Sequence, residues 1–444
     1  MGALLARVET RRQPDGVTLI CASRRDVPLV GTSLVSAGGR ACDLPRRPGL
    51  ANLTAALWAE GPQSRKPLEW HRTLEQDAIS LGMRADTAHW EAGALSLTEQ
   101  AGTALGRLAE CLASPGWHAS EWRRLVRAHR ASAREHWAQP GLVLDALSAV
   151  QCLGYLHPGA HPPSERSYAR ARYAEAVALG NSALRRGQGT YAMAGGDISP
   201  DEAWARLSEL LSVVPQADGG PRPEPVARPA GARVWLMDHP GLDQAFFALS
   251  RPGARGGDPD RVALRLADYA LGGGGFSSRL MERARNEMGH TYGIHSSCPL
   301  GPVLSPFRIQ SFTQVGNLKP LLDMVSRELE SVARRGFSED EVNAARDHFY
   351  GALPLHLTTP QALLEHVLHG FQSGLGLARL EADWEALRST PLEQVNAAAR
   401  RLVGDGVFHL AVIGPARQIE RQVDTRGGCA VFGFRTPPDR WPKA

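Results

Sequence analysis

Arg285 and Tyr292 stand seven residues apart in the chemically richest stretch of the chain, LGGGGFSSRLMERARNEMGHTYGIHSS at 271–297. A guanidinium offers rigid, charged donors to a backbone or carboxylate oxygen. A phenol can donate to the oxyanion that forms when a peptide carbonyl is attacked. Taken alone, the two residues read first as a surface helix residue and a core strand residue. The glycines at 272–275 are not followed by Gly-Lys-Ser/Thr, so they are no phosphate-binding P-loop. Among the fifteen histidines, His366 and His369 are three apart beside Glu365, but an isolated pair of that spacing is a surface or packing feature. There is no Gly-x-Ser-x-Gly elbow and no Ser-His-Asp order above chance. The six cysteines are scattered, with no Cys-x-x-Cys pair, which predicts reduced thiols in a cytoplasmic protein.

Composition narrows the classes. At 444 residues, with 43% hydrophobic and 22% charged, the chain is long enough for two or three ordinary globular domains. A net charge of +4 gives no field that argues for nucleic acid. The arginines at 123, 124, 127, 130 and 134 share a broad helix face, and no aromatic residues alternate with them to stack on bases. No apolar run reaches about 18 residues, so no membrane span is predicted, and the N-terminus does not read as a signal peptide. If a leader had been removed, the periplasm would be the alternative location.

The elements that must position any site fall into two related halves. Residues 216–232, QADGGPRPEPVARPAGA, read as a linker, dividing the chain into domains at 1–215 and 233–444. The stretch at 27–61 and the stretch at 242–274 share one order: an apolar β-like run, a Gly/Arg/Asp turn, an Ala/Leu helix, then glycine. Residues 36–40 align with 251–255 at an offset of 215, and 58–61 with 269–272 at 211. Apolar periodicity predicts strands at 16–22, 28–37, 92–98 and 189–193 in the first half. Helices are predicted there at 49–59, 67–81, 103–112, 120–136 and 142–153. In the second half it predicts strands at 233–237, 244–250, 291–297, 307–313 and 407–413. The predicted helices there are 260–271, 277–286, 319–334, 338–350, 360–373 and 392–402. Strands placed first and last, with helices between, predict an α+β class with sheets covered by helices.

The 271–297 motif, the later run GFSEDEVNAARDHFYGAL at 336–353 and the domain repeat together resemble the pitrilysin/insulinase metallopeptidases, in the branch that includes mitochondrial processing peptidase. The resemblance implies two homologous domains, each a mostly antiparallel sheet under helices, forming half of a clamshell. It implies that Arg285 and Tyr292 are the family's substrate-side pair. It also implies, more weakly, that Gly273, Gly274, Gly275, Phe276 and Ser277 touch substrate, as a longer glycine-rich loop does in the processing peptidase.

Active members carry an inverted His-x-x-Glu-His zinc motif on the first long helix. Here the histidine positions hold Asn52 and Ala56 and the glutamate position Ala55. The third ligand should fall near Ala131 or Ser132. The resemblance therefore implies a non-catalytic chain that binds no metal or other cofactor. Its expected partners are a zinc-bearing homologue, in a heterodimer, and a peptide substrate. The alternatives are a structural subunit, like the processing-peptidase-like core subunits of the respiratory cytochrome complex, or a peptide-binding protein that does not cut.

Overall fold

The computed structural model describes residues 5–43, 47–160, 162–217, 229, 231–287, 291 and 293–442. Most of the linker, at 218–228 and 230, lies outside the described residues. So does Tyr292.

Six strands form the first sheet: β1 (Val8–Arg12), β2 (Thr18–Ser23), β3 (Leu29–Ala37), β4 (Ser80–Ala85), β5 (His89–Leu97) and β6 (Tyr191–Gly196). Six more form the second: β7 (Val234–Asp238), β8 (Gln244–Pro252), β9 (Ile294–Ser297), β10 (Pro306–Gln314), β11 (His409–Gly414) and β12 (Cys429–Gly433). The spatial orders are β1-β2-β6-β3-β5-β4 and β12-β7-β11-β8-β10-β9. The β2–β6 pair is parallel, as are the β7–β11 and β7–β12 pairs; all other neighbours are antiparallel.

Five strands of each sheet, all but β1 and β12, correspond one to one, which bears out the repeat read from the sequence. β8 begins and ends 215 residues after β3, and the Arg261–Asp268 helix begins 211 residues after the Leu50–Trp58 helix. The sixth strand is the exception. β1 reaches its place through an antiparallel hairpin at the start of the chain, whereas β12 arrives in parallel from the end.

Each sheet buries one face under helices of its own half. In the first, Leu19, Leu34 and Ala92 meet Trp58, Trp70, Leu108 and Leu207 in one core. Strand alternation sends Ile20 and Met193 to the opposite face, and both are fully buried. Their cover is the Pro360–Gln372 helix, which comes from the other half of the sequence. Its Leu364 lies where a Cβ on Gly195 of β6 would fall, and its Phe371 carbonyl accepts a hydrogen bond from Tyr191 Oη at 3.2 Å. The second sheet has the reciprocal arrangement. Val143, Leu144, Leu147 and Val150 of the Pro140–Leu153 helix pack on Trp235, Met237, Ala248, Ala411 and Ile413. Gln151 Nε2 donates to the Arg233 carbonyl at 2.9 Å.

By contact, then, one compact unit is Met1–Arg134, Pro163–Glu224 and Pro354–Gln372, and the other is Glu135–Pro162, Pro225–Leu353 and Ser373–Ala444. The division at 216–232 separates the two copies in sequence, but each copy lends one helical segment to the other's unit.

Two predicted helices need correction. The helix expected over 67–81 ends at Gln76; Ala78 then takes a left-handed φ of 51°, which breaks the helix, and β4 starts at Ser80. The helix expected over 277–286 is a short 3₁₀ turn at Gly275–Ser277, a helical turn at Arg279–Met281 and a π-helical stretch at Glu282–Glu287. Among the described residues, no helix is long and apolar enough to cross a membrane.

Candidate functional site

The helix that would carry a metal motif is Leu50–Trp58. Its N-terminus is tied by a carboxylate from outside the helix: Asp43 accepts the Gly49 and Ala51 N–H groups, each at 2.6 Å. Gly49 holds a left-handed φ of 89°, and a Cβ there would stand 2.6 Å from the Tyr168 ring, so this turn needs glycine. Leu53, Thr54, Leu57 and Trp58 are buried. Asn52 and Ala56, one helical turn apart, share the half-buried face, while Ala55 is 3% exposed within the core. Asn52 Oδ1 is buried without a hydrogen-bond partner. Ala131 and Ser132 on the Ala119–His136 helix are exposed.

One carboxamide and two methyl groups do not make a zinc site, which needs imidazole, thiolate or carboxylate donors. Among the described residues, no group of three or more His, Cys, Asp and Glu side chains is placed to hold a metal ion.

Burial pushes the Asp43 carboxyl up to about 7, against the pull of the Ala51 and Gly49 N–H groups and of Arg40. In the unfolded chain it titrates near about 3.9. Between these values the folded state holds the extra proton, so stability falls as pH rises from about 4 to about 7 and levels off above. Thermal melting of Asp43→Asn should therefore decline less than wild type over that window. Parallel profiles would mean that the carboxylate is ionised throughout.

The glycine-rich segment is the C-terminal end of the second-half counterpart of this helix. The Arg261–Asp268 helix runs into a π-helical turn at Tyr269–Gly273, a distortion frequent at functional sites. A Cβ on Gly272 would approach the Ser296 backbone N of β9 at 2.5 Å, so glycine is what lets the helix end touch the edge strand. Asp268 fixes the contact: Ser296 Oγ donates to it at 2.6 Å and the Cys298 N–H at 3.0 Å. Burial drives this carboxyl above its usual range, while those two donors oppose the shift.

Beyond that anchor, Gly273 ends the π turn, Gly274 packs its backbone on the Tyr269 ring, and Gly275 takes a φ of 58°. Phe276 is 72% exposed and Ser277 is exposed beside it. The predicted loop residues thus form one surface turn. Arg285 lies on the Glu282–Glu287 stretch that follows, and its companion Tyr292 lies outside the described residues.

The first sheet leaves a different surface open. Among the described residues, β4 is an edge strand, hydrogen-bonded only to β5. The face of β3, β5 and β4 turned away from the helical core forms a groove of about 300 Å³, closed on one side by Gln361 and Glu365 of the Pro360–Gln372 helix. Its floor is low. Gly82 of β4 sits opposite Gly93 of β5, with Ser33 and Ser80 beside them. Arg84 pairs across the strands with Glu91 at 2.5 Å. Apart from Glu365, noted beside His366, none of these groove residues stood out in the sequence. The polar–apolar alternation of SLGMRA at 80–85 was the available signal.

Comparison with known proteins places these features. The family description "Peptidase M16 inactive domain" matches residues 189–349. A Helicobacter pylori protein named non-peptidase homolog YmxG is 22% identical over 397 residues, spanning 86% of this chain and 88% of its own length. Over residues 189–349, then, the chain is similar to the M16 inactive domain. Relatives named as uncharacterized zinc proteases match over shorter stretches: SCO5738 of Streptomyces coelicolor is 27% identical over 42% of this chain and 40% of its own. The fold is shared with the M16 inactive-domain structure from Pseudomonas fluorescens, with a TM-score of 0.82 at 24% identity over 92% of this chain and 98% of that one. It is shared too with a chain of complex III2 from Candida albicans, at a TM-score of 0.78 and 14% identity over 94% and 98% of the two chains. The matched stretch, residues 189–349, does not include the Leu50–Trp58 helix with Asn52, Ala55 and Ala56.

Proposed function

We propose that this chain is the zinc-free subunit of a two-chain pitrilysin-type peptidase, holding the peptide while a zinc-bearing homologue hydrolyses it. One observation carries the reading: the metal-motif positions hold Asn52, Ala55 and Ala56, whereas the 271–297 motif keeps both Arg285 and Tyr292. A relic would have no reason to lose one set and keep the other. The partner would supply the zinc-activated water and the base beside it. On this chain, an extended peptide can add to the open edge of β4 by backbone hydrogen bonds. Arg285 would hold a substrate carbonyl, and the Tyr292 hydroxyl would donate to the developing oxyanion. Precursor or leader peptides, short and unfolded, are the substrate class we favour.

The chain purified alone should carry no stoichiometric zinc and cleave no unfolded peptide. Mixed with a zinc-bearing homologue, it should raise that homologue's peptidase activity. Cleavage by the lone, zinc-loaded chain would end the proposal. Failure to bind any peptide, together with stable incorporation into a larger complex, would favour the structural-subunit reading instead.

A further inference from the structure

We infer that the Ala119–His136 helix binds two carboxylates of an extended peptide, in the pattern acid-x-acid, through the guanidiniums of Arg123 and Arg127. This rests on the peptide-holding role proposed above and specifies the peptide's chemistry.

Four arginines of this helix, at 123, 127, 130 and 134, form one narrow stripe, because spacings of four, three and four residues return to the same side of a helix. Like charges so placed weaken a helix. The helix's own acidic residues, Glu121 and Glu135, do not offset them, since neither stands three or four residues from any arginine of the stripe. The fifth arginine, Arg124, is engaged elsewhere, by Glu60 and Glu121.

One end of the stripe shows how it takes a carboxylate. Glu165, at the start of the Glu165–Arg170 helix, accepts Arg130 Nη2 at 2.9 Å, Arg134 Nη2 at 2.6 Å and Arg134 Nε at 3.3 Å. Arg134 first, then Arg130, holds the Glu165 carboxyl below its usual range. Arg123 and Arg127 repeat the four-residue spacing of Arg130 and Arg134. Both are exposed, and among the described residues no Asp or Glu pairs with either.

Spacing selects the ligand. Four helical residues advance about 6 Å, and alternate residues of an extended chain, whose side chains share one face, lie about 6.6–6.8 Å apart. Two carboxylates separated by one residue therefore meet two guanidiniums, each able to bind in bidentate fashion. The helix is also fixed beside the Leu50–Trp58 helix. Arg124 reaches Glu60 just past the end of that helix, and the His129 ring meets, at 5.3 Å, the Tyr168 ring that closes on Gly49 at its start. Single-stranded nucleic acid would need stacking rings beside the arginines; Trp122 of this helix packs instead on Tyr173, with centroids 6.0 Å apart.

The test is fluorescence anisotropy with the full chain and a fluorescein-labelled peptide of Ala, Ser and Thr carrying a central Glu-Thr-Glu. The reference probe carries Gln-Thr-Gln, which keeps the shape and removes the charge. Wild type should prefer the acidic probe by about 5-fold, as expected for two exposed ion pairs, and added salt should shrink the ratio. The double variant Arg123→Gln/Arg127→Gln alters exposed side chains only and should fold normally, which circular dichroism checks; its ratio should fall to about one. Arg123→Glu/Arg127→Glu should favour a probe with central Lys-Thr-Lys. Arg417→Gln/Arg421→Gln, at another exposed pair four residues apart, removes the same charge and should leave the ratio unchanged.

No acidic preference in wild type, or an equal loss in the Arg417/Arg421 variant, would overturn the inference. So would displacement of the probe by a thymidine trinucleotide, which carries the same two charges, at a lower concentration than the unlabelled acidic peptide needs. Activation of the zinc-bearing homologue is read separately. An active pair without acidic preference would sink the stripe assignment and leave the two-chain reading intact. Acidic preference with no activation would do the reverse.

Discussion

Tyr292→Phe should lower kcat of the reconstituted two-chain enzyme by about 100-fold or more, with the complex still assembled. The change removes a single hydroxyl and keeps the ring. A donor aimed at a developing oxyanion contributes roughly 2.7–4 kcal/mol, and that contribution exists mainly in the transition state. KM should therefore move little, which separates the role from simple substrate binding. Arg285→Ala, by contrast, should raise KM, because a guanidinium that holds a carbonyl binds substrate and transition state alike. Size-exclusion chromatography checks assembly, and steady-state kinetics on an unfolded peptide reads the effect. An unchanged kcat in Tyr292→Phe would remove the oxyanion role while leaving the fold assignment untouched.

The second large effect concerns stability. A fragment of residues 233–444, the second domain as cut in sequence, should be insoluble or molten when expressed alone. It lacks the Pro140–Leu153 helix, so Trp235, Met237, Ala248, Ala411 and Ile413 lose their cover. Burying each large aliphatic side chain of that helix contributes about 1.5–3 kcal/mol. Four of them (Val143, Leu144, Leu147 and Val150) together rival the roughly 5–15 kcal/mol by which whole domains are stable. Supplying residues 135–162 as a separate chain should restore solubility and cooperative melting. In the intact protein, Leu147→Ala should cost about 2–5 kcal/mol, read by urea denaturation. A well-folded 233–444 fragment would mean that the lent helix is an accessory.

Much of this architecture could be read from residue patterns, for identifiable reasons. β3 and β8 lie inside their sheets with a strand on either side, and their 215-residue offset survives intact in the fold. The position of the Leu50–Trp58 helix follows from the same repeat, since its counterpart begins 211 residues later. The edges were harder. β1 is VETRR and four of its five residues are exposed; β12 is CAVFG and none of its residues is buried. Such strands exist because a neighbour offers hydrogen bonds, and their own composition hardly shows it. β4 was hidden by Gly82 and by the preceding helix pattern, which runs on past its true end at Gln76.

Helix exchange was invisible for a related reason: an amphipathic pattern records which side is buried, never which sheet buries it. The groove inherits that blindness. Glu91 and Glu365 are 274 positions apart and share a groove only because the Pro360–Gln372 helix crosses to the first unit. The glycine turn could be singled out because it lies within one short motif, the same one that holds the proposed pair Arg285 and Tyr292.

The reciprocal loan of helices also sets a timetable for biogenesis. The last strand of the first sheet leaves the ribosome by residue 196, yet the helix that seals its second face starts at residue 360. At about 5–20 residues per second, the side chains of Ile20 and Met193 wait roughly 10–30 s for their cover. The Pro140–Leu153 helix waits in the opposite sense, complete before any strand of its own sheet has been synthesised. Until residue 372 has emerged, a nascent chain in that state displays apolar surface from two unfinished units at once.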